Sequence, residues 1–243
     1  MRSKVQALFF ILFCLLFFLV AYPLNHSVPV DLFLRIDPFI AATAFLASRE
    51  LYAPLLASFI VIAASLLFGR FFCGYVCPLG TAIDYSHRLL ARRKESNAQH
   101  AALKNIKYYL ALSLVACALL GFNLVYLFDP LSILTRVFTF LVYPFSMLLL
   151  NTGLDVLRPL AEALRLVALS HKHVMQPLFF MTLITLLIFS ALLALNFFAE
   201  RFWCRNLCPL GALLSICSRW GIFKRQVSDA CNRCMKCYRE CPM

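Results

Sequence analysis

Charged residues are scarce in this chain: only 14% of its 243 residues are Asp, Glu, Lys or Arg, against about 25% in a soluble domain. Acidic residues are rarest, 11 against 23 basic ones, which leaves a net charge of +12. That excess is no nucleic-acid signal, because the basic residues cluster beside hydrophobic runs. No Cys-x-x-Cys-His, phosphate loop or G-x-G-x-x-G occurs, which removes c-type haem attachment and the common nucleotide cradles. None of the five His residues lies in an apolar stretch, so a bis-histidine haem within a bilayer is excluded. No methionine-rich cluster accompanies the cysteines either.

What is abundant is apolar: 63% of the chain is hydrophobic, and these residues are bunched. Four stretches, Val5–Leu24, Leu51–Phe68, Tyr108–Phe128 and Leu178–Ala199, approach the roughly 20 residues that cross a bilayer. The first is too long for a signal peptide and lacks a small-x-small cleavage site, so it is expected to be retained. Seventeen of the 23 basic residues fall on one side of these stretches; only Arg35, Arg49, Arg136, Arg158, Arg165 and Lys172 fall opposite. The positive-inside bias predicts cytoplasmic N- and C-termini. The expected fold is an all-α integral membrane protein with four transmembrane helices, arranged as two repeated helix pairs.

An internal repeat supports that plan. In each half a first span ends near an Asp-Pro pair, Asp37-Pro38 or Asp129-Pro130. The second span then runs into Arg-Phe-aromatic-Cys-x-x-x-Cys-Pro-Leu-Gly, at Arg70–Gly80 and again at Arg201–Gly211. The halves are residues 1–107 and 108–227, with a further module at 228–243, and a pseudo-two-fold along the membrane normal is the expected relation between them. Within the longer second half, Arg136 and Pro144 argue that Val137–Leu150 is interfacial or re-entrant rather than a fifth span. Asp155–Leu169 reads as an amphipathic surface helix.

The cysteines carry the chemistry. Cys231-x-x-Cys234-x-x-Cys237-x-x-x-Cys241-Pro242 has the spacing of a bacterial ferredoxin half-motif for a 4Fe-4S cluster. Zinc is the alternative, but its sites favour separated knuckles, often with His. In two-cluster ferredoxins the fourth Cys serves the other cluster, so a chain stopping at Met243 is expected to be a fragment with an incomplete ferredoxin-type tail. The two membrane-edge pairs, Cys73/Cys77 and Cys204/Cys208, would each lie on one helix face if the span continues as a helix, with Pro stopping it. Repeat symmetry would gather all four at the cytoplasmic mouth around a second cluster or a metal, and Arg70 and Arg201 would favour thiolates. The other reading is a pair of helix-end packing motifs. Cys14, Cys117 and Cys217 read as small apolar residues. His171 and His173 suit a proton or metal site or simply a polar loop. Asp37 and Asp129, expected at the outer edge, are either proton acceptors or helix caps.

The doubled motif on four spans with its ferredoxin run resembles the NapH-like membrane ferredoxins, the membrane components of 4Fe-4S quinol dehydrogenases; the membrane part of NosR-like proteins is similar. The resemblance covers essentially the whole chain. It implies quinol oxidation, electron delivery within a respiratory or maturation complex of several proteins, and a bacterial cytoplasmic (inner) membrane location. It also implies two cubane clusters in the tail, where this sequence stops after one motif, and it carries cofactor-binding roles onto Cys73, Cys77, Cys204, Cys208, Cys231, Cys234, Cys237 and Cys241. The expected function is membrane-bound electron transfer between the quinone pool and a redox partner. The rivals are a copper-handling or metal-centre assembly factor using the membrane-edge thiols and a zinc-stapled structural subunit.

Overall fold

The computed structural model describes residues 2–21, 32–50, 56–90, 105–163, 181–196, 201–223 and Cys231. All regular structure among these residues is helical, with no strand. The chain divides into two compact units: Met1–Leu134 with Ala191–Met243, and Thr135–Ser190.

The first unit opens with α1 (Arg2–Ala21), α2 (Leu32–Arg35), α3 (Pro38–Ser48) and α4 (Ser58–Phe68). A π-turn at Phe72–Val76 leads into α5 (Pro78–Leu90). The second copy of this order begins with α6 (Ile106–Leu119) and α7 (Pro130–Val137). Asp37 and Asp129 start α3 and α7 in the same way. Asp37 Oδ1 accepts from the Phe39 and Ile40 N–H groups at 2.8 and 3.2 Å, and Asp129 Oδ2 accepts from Leu131 and Ser132 at 3.0 and 2.9 Å. Each carboxylate thus satisfies orphan helix donors while the following proline supplies a ready-set first residue.

The second unit continues α7 through a π-turn (Phe138–Val142) into α8 (Tyr143–Ala163), and it holds most of α9 (Thr182–Leu195). The stretch expected to be re-entrant is therefore helical throughout. Pro130–Val156, 27 residues, is the one helix among the described residues long and apolar enough to cross a membrane. Pro144 does not break it, because the Tyr143 N–H bonds back five residues to Phe138 O. That π-turn resets the ladder just before the residue that has no N–H to give. The helix also absorbs the start of the segment that reads, from Asp155, as a separate surface helix. Each of the four expected spanning stretches holds a shorter apolar helix: Ser3–Phe18, Ser58–Phe68, Ile106–Leu119 or Thr182–Leu195.

Back in the first unit, α10 (Phe202–Asn206) and α11 (Pro209–Cys217) complete the second copy. Helix α3 packs on α4, α6 and α11; α1 packs on α5 and on the first π-turn. The core beside the cysteine motifs is made by Leu79 and Ile83 of α5, Leu210 and Leu214 of α11, Leu114 and Ala118 of α6, and Leu131 and Leu134 of α7, all buried.

Candidate functional site

The two Cys-x-x-x-Cys-Pro motifs fold alike, but not as extensions of the preceding helix. α4 stops at Phe68, where Gly69 takes φ 70°, a conformation that favours glycine. In the first copy the Cys77 N–H bonds Phe72 O at 2.9 Å, and in the second the Cys208 N–H bonds Trp203 O at 2.9 Å. Both are five-residue closures that end the turn on the second cysteine. Cys77 (φ −62°, ψ 114°) and Cys208 (φ −69°, ψ 115°) are extended, and Pro78 and Pro209 then open α5 and α11. Proline therefore begins a helix here, where the sequence suggested that it ends one; position N1 needs no N–H.

Each of these cysteines holds the cap position of the helix that follows. Cys208 Sγ accepts from the Gly211 N–H at 3.3 Å, and the Gly80 N–H in the matching place favours negative charge on Cys77. The glycines are needed for close approach: a Cβ on Gly80 would lie 3.3 Å from Cys73 O, and one on Gly211 would lie 3.2 Å from Cys204 O.

The two copies meet through Arg201, which is 2% exposed and held in the left-handed region at φ 54°. Its guanidinium forks onto Asp84 of α5, with Nε to Oδ1 at 2.6 Å and Nη2 to Oδ2 at 2.7 Å. Its Nη1 donates to Cys73 O at 3.3 Å. Gln6 Nε2 completes the clamp, donating to Asp84 Oδ2 and to Gly74 O, each at 3.0 Å. In the second copy the place of Asp84 is taken by Ser215, which hydrogen-bonds Tyr108 at 2.7 Å. A residue from the first helix of each copy thus ties down the helix that follows the cysteines.

The structure couples Cys73, Cys77, Cys204 and Cys208 electrostatically, the charge of each bearing on the others. Cys77 and Cys208 are buried, and Cys73 and Cys204 partly so. Among the described residues no three of His, Cys, Asp and Glu are gathered closely enough to hold a metal ion. The chemistry of the set, four thiols of which two have a backbone N–H group favouring their negative charge, fits a cubane cluster.

Their ionisation departs from expectation. Arg201 and Arg70 pull the Cys73 thiol towards the thiolate, but burial outweighs them and pushes it up to about 12. Burial likewise raises Cys77 and Cys208 well above the ordinary thiol range and raises Cys204. Two results are expected. At pH 8 the metal-free protein should alkylate with iodoacetamide at Cys73 on the order of 10³-fold more slowly than a free cysteine, since each pKa unit is tenfold in thiolate, and more slowly than a free cysteine at the other three. The folded chain keeps protons that the unfolded chain releases from about pH 8.5. Stability of the metal-free form should therefore fall as pH rises from about 8.5 towards 12, as read by thermal melts across that range.

Several site residues carry no motif signal. Asp84 and Gln6 lie within helical runs where a lone polar residue says nothing, although the repeat aligns Asp84 with Ser215. Lys107, 8% exposed, bears on Cys73 and Cys208 and is legible in the sequence only as a topology charge. The Asp pair lies elsewhere than expected. Asp37 and Asp129 are both 0% exposed, and the charge of Asp129 bears on Asp37. Their charges bear on Cys73 and Cys77, so they do not lie on the far edge from the cysteines. Of the C-terminal run only Cys231, exposed, is among the described residues; Cys234, Cys237, Cys241, His171 and His173 lie outside them.

Comparison with known proteins agrees with this geometry. A family profile described as a 4Fe-4S binding domain matches residues 51–97 and 181–228, segments that contain the two membrane-edge pairs and not the C-terminal run. The ferredoxin-type protein NapH of Haemophilus influenzae is 29% identical over 213 residues, covering 85% of this chain and 60% of its own. NapH of Escherichia coli K12 is 28% identical over 76% of this chain and 52% of its own. The methylamine utilization ferredoxin-type protein MauN of Paracoccus denitrificans is 26% identical over 85% of this chain and 60% of its own. The chain spans about half the length of the curated relatives it matches. No solved structure matches it.

Proposed function

The chain belongs to the NapH-like family of ferredoxin-type proteins, and from that premise we propose that it is a membrane-bound iron–sulfur protein passing single electrons between the quinone pool and a redox partner. What supports the proposal is the electrostatic coupling of two thiols from each repeat, inside the segments that match a 4Fe-4S binding domain. Cys73, Cys77, Cys204 and Cys208 would hold one cluster, and Cys231, Cys234, Cys237 and Cys241 another. A bound cluster supplies one-electron storage. The chain supplies a setting that is largely closed to water, with Lys107, Arg70 and Arg201 nearby to offset negative charge. The bond from Arg201 to Cys73 O and the Gln6–Asp84 clamp fix the first motif's backbone against the second.

A membrane setting is supported by outward-facing apolar side chains on the helices. Leu8 and Ile11 of α1 are 64% and 61% exposed, Ile60 of α4 is 71%, Leu112 of α6 is 68% and Leu183 of α9 is 66%. Helices apolar on both faces suit hydrocarbon surroundings. Within that reading the protein is multi-pass with both termini cytoplasmic. A hydrocarbon core of about 30 Å separates the clusters from the far side, so electrons bound there travel by a diffusing quinone or a partner protein.

The test is anaerobic purification of the full chain in detergent, with iron, sulfide, zinc and copper assayed before and after dithionite. Equal iron and sulfide, with visible absorbance that bleaches on reduction, is the expected result. Copper or zinc without sulfide would replace the electron carrier with the assembly-factor or structural reading.

A further inference from the structure

The two helix caps form a unit that the cysteine chemistry does not use. Asp37 and Asp129 each spend one oxygen on their own helix, Oδ1 and Oδ2 respectively, accepting two backbone N–H bonds apiece. The remaining oxygens, Asp37 Oδ2 and Asp129 Oδ1, are buried and have no hydrogen-bond partner, and the two carboxylates are close enough for the Asp129 charge to bear on Asp37. Two bare carboxylate oxygens cannot face each other in a dry interior. One proton between them converts repulsion into a hydrogen bond, as in paired-carboxylate sites generally. The N-termini of α3 and α7 and the four cap bonds favour the single negative charge that remains. A state with one proton and one charge is therefore the one this geometry accommodates.

We propose that Asp37 and Asp129 form an internal proton site, holding one shared proton at rest and taking up a second from solvent when an electron is added at the neighbouring four-cysteine centre. The electron comes from a one-electron donor, dithionite in the test below, and the proton balances its charge. The coupling follows from position: the Asp37 charge bears on Cys73 and the Asp129 charge on Cys77. Negative charge added among the thiols must raise the proton affinity of the pair, and a proton on the pair must ease reduction by the same free energy. The elements packed on α3 carry Arg35, Lys107, Tyr108, Tyr109, Cys117, Tyr126 and Cys217 as further ionisable groups, so the titration belongs to the pair within that field. The coupled half of the proposal rests on a cluster being held at the cysteines; the shared proton does not.

Asparagine caps a helix as well as aspartate does, so Asp37→Asn and Asp129→Asn keep both helices and leave one carboxylate facing an amide donor. Infrared spectra of the metal-free full chain at pH 7 should show a protonated-carboxyl band that is lost in either single variant. Absence of the band in the parent, or its persistence in both variants, would overturn the shared proton whether or not any cluster assembles. In the cluster-loaded protein the midpoint potential should fall by about 59 mV per pH unit around neutrality, the one-electron equivalent of tenfold in proton activity. In both variants it should become independent of pH. A parent potential independent of pH would overturn the coupling while leaving the resting proton in place.

Discussion

Serine at Cys77 or at Cys208 is expected to remove one whole cluster, four iron and four sulfide per chain, while leaving the helix behind it intact. These two positions are the informative ones because each cysteine has a second, purely structural role. It holds the cap position of α5 or α11, with Cys208 Sγ accepting the Gly211 N–H and the Gly80 N–H in the matching place by Cys77, and a serine hydroxyl is among the best caps known. Loss of metal in these variants therefore reports a missing ligand rather than a missing helix. Cys217→Ser, off the repeated pattern, should keep full iron. Cys231→Ser should remove the other cluster alone. Unchanged iron and sulfide in both Cys77→Ser and Cys208→Ser would reduce the membrane-edge pairs to packing motifs and leave the tail as the sole carrier.

Asp84→Ala should destabilise the protein by about 3–5 kcal/mol, the usual consequence of stranding a buried charge. Arg201 is 2% exposed, and Asp84 receives both arms of its fork, so truncation leaves a guanidinium in the interior with Cys73 O still accepting from Nη1. Replacing both partners, Arg201→Met with Asp84→Leu, should recover most of that loss, because the desolvation cost disappears with the charges. Denaturant titration of the four proteins of the cycle in detergent measures it. Additive single effects, with no recovery in the double variant, would mean that the pair does not act as a unit. Since Arg201 also holds the backbone of the first cysteine turn, the single variants should lose iron more readily than the double variant loses stability.

Much of the site is legible in the residues alone. The doubled Arg-Phe-aromatic-Cys-x-x-x-Cys-Pro-Leu-Gly marks four cysteines as one set, and in the structure the charges of those four bear on one another. The Asp-Pro pairs announce two helix starts, and both carboxylates do cap. What fails is inference about continuation. A cysteine pair four apart suggests one face of a helix, and a following proline suggests its end. The chain instead closes a wide turn on the second cysteine and begins a new helix at the proline. The reasons are local but invisible in a window: a glycine at φ 70° has already broken the preceding helix, and the sulfur supplies a cap that serine or aspartate would normally provide. Pro144 misleads in the opposite direction, since a π-turn absorbs it and the helix runs on.

Composition and repetition by themselves determined that this chain is helical, apolar, doubled, and equipped with thiols for an iron–sulfur centre. Those properties are carried by residue identity and short spacing, which survive whatever the chain does afterwards. Only the tertiary structure decided which groups confront one another. Arg201 meets Asp84 across 117 residues, and Asp37 meets Asp129 although each reads as a separate cap at a distant edge. Burial then reversed the electrostatic reading of the arginines, because the free energy of ionising a thiol depends on the water removed around it more than on a neighbour's charge. No sequence window records that removal; it exists only once the two repeats close on each other.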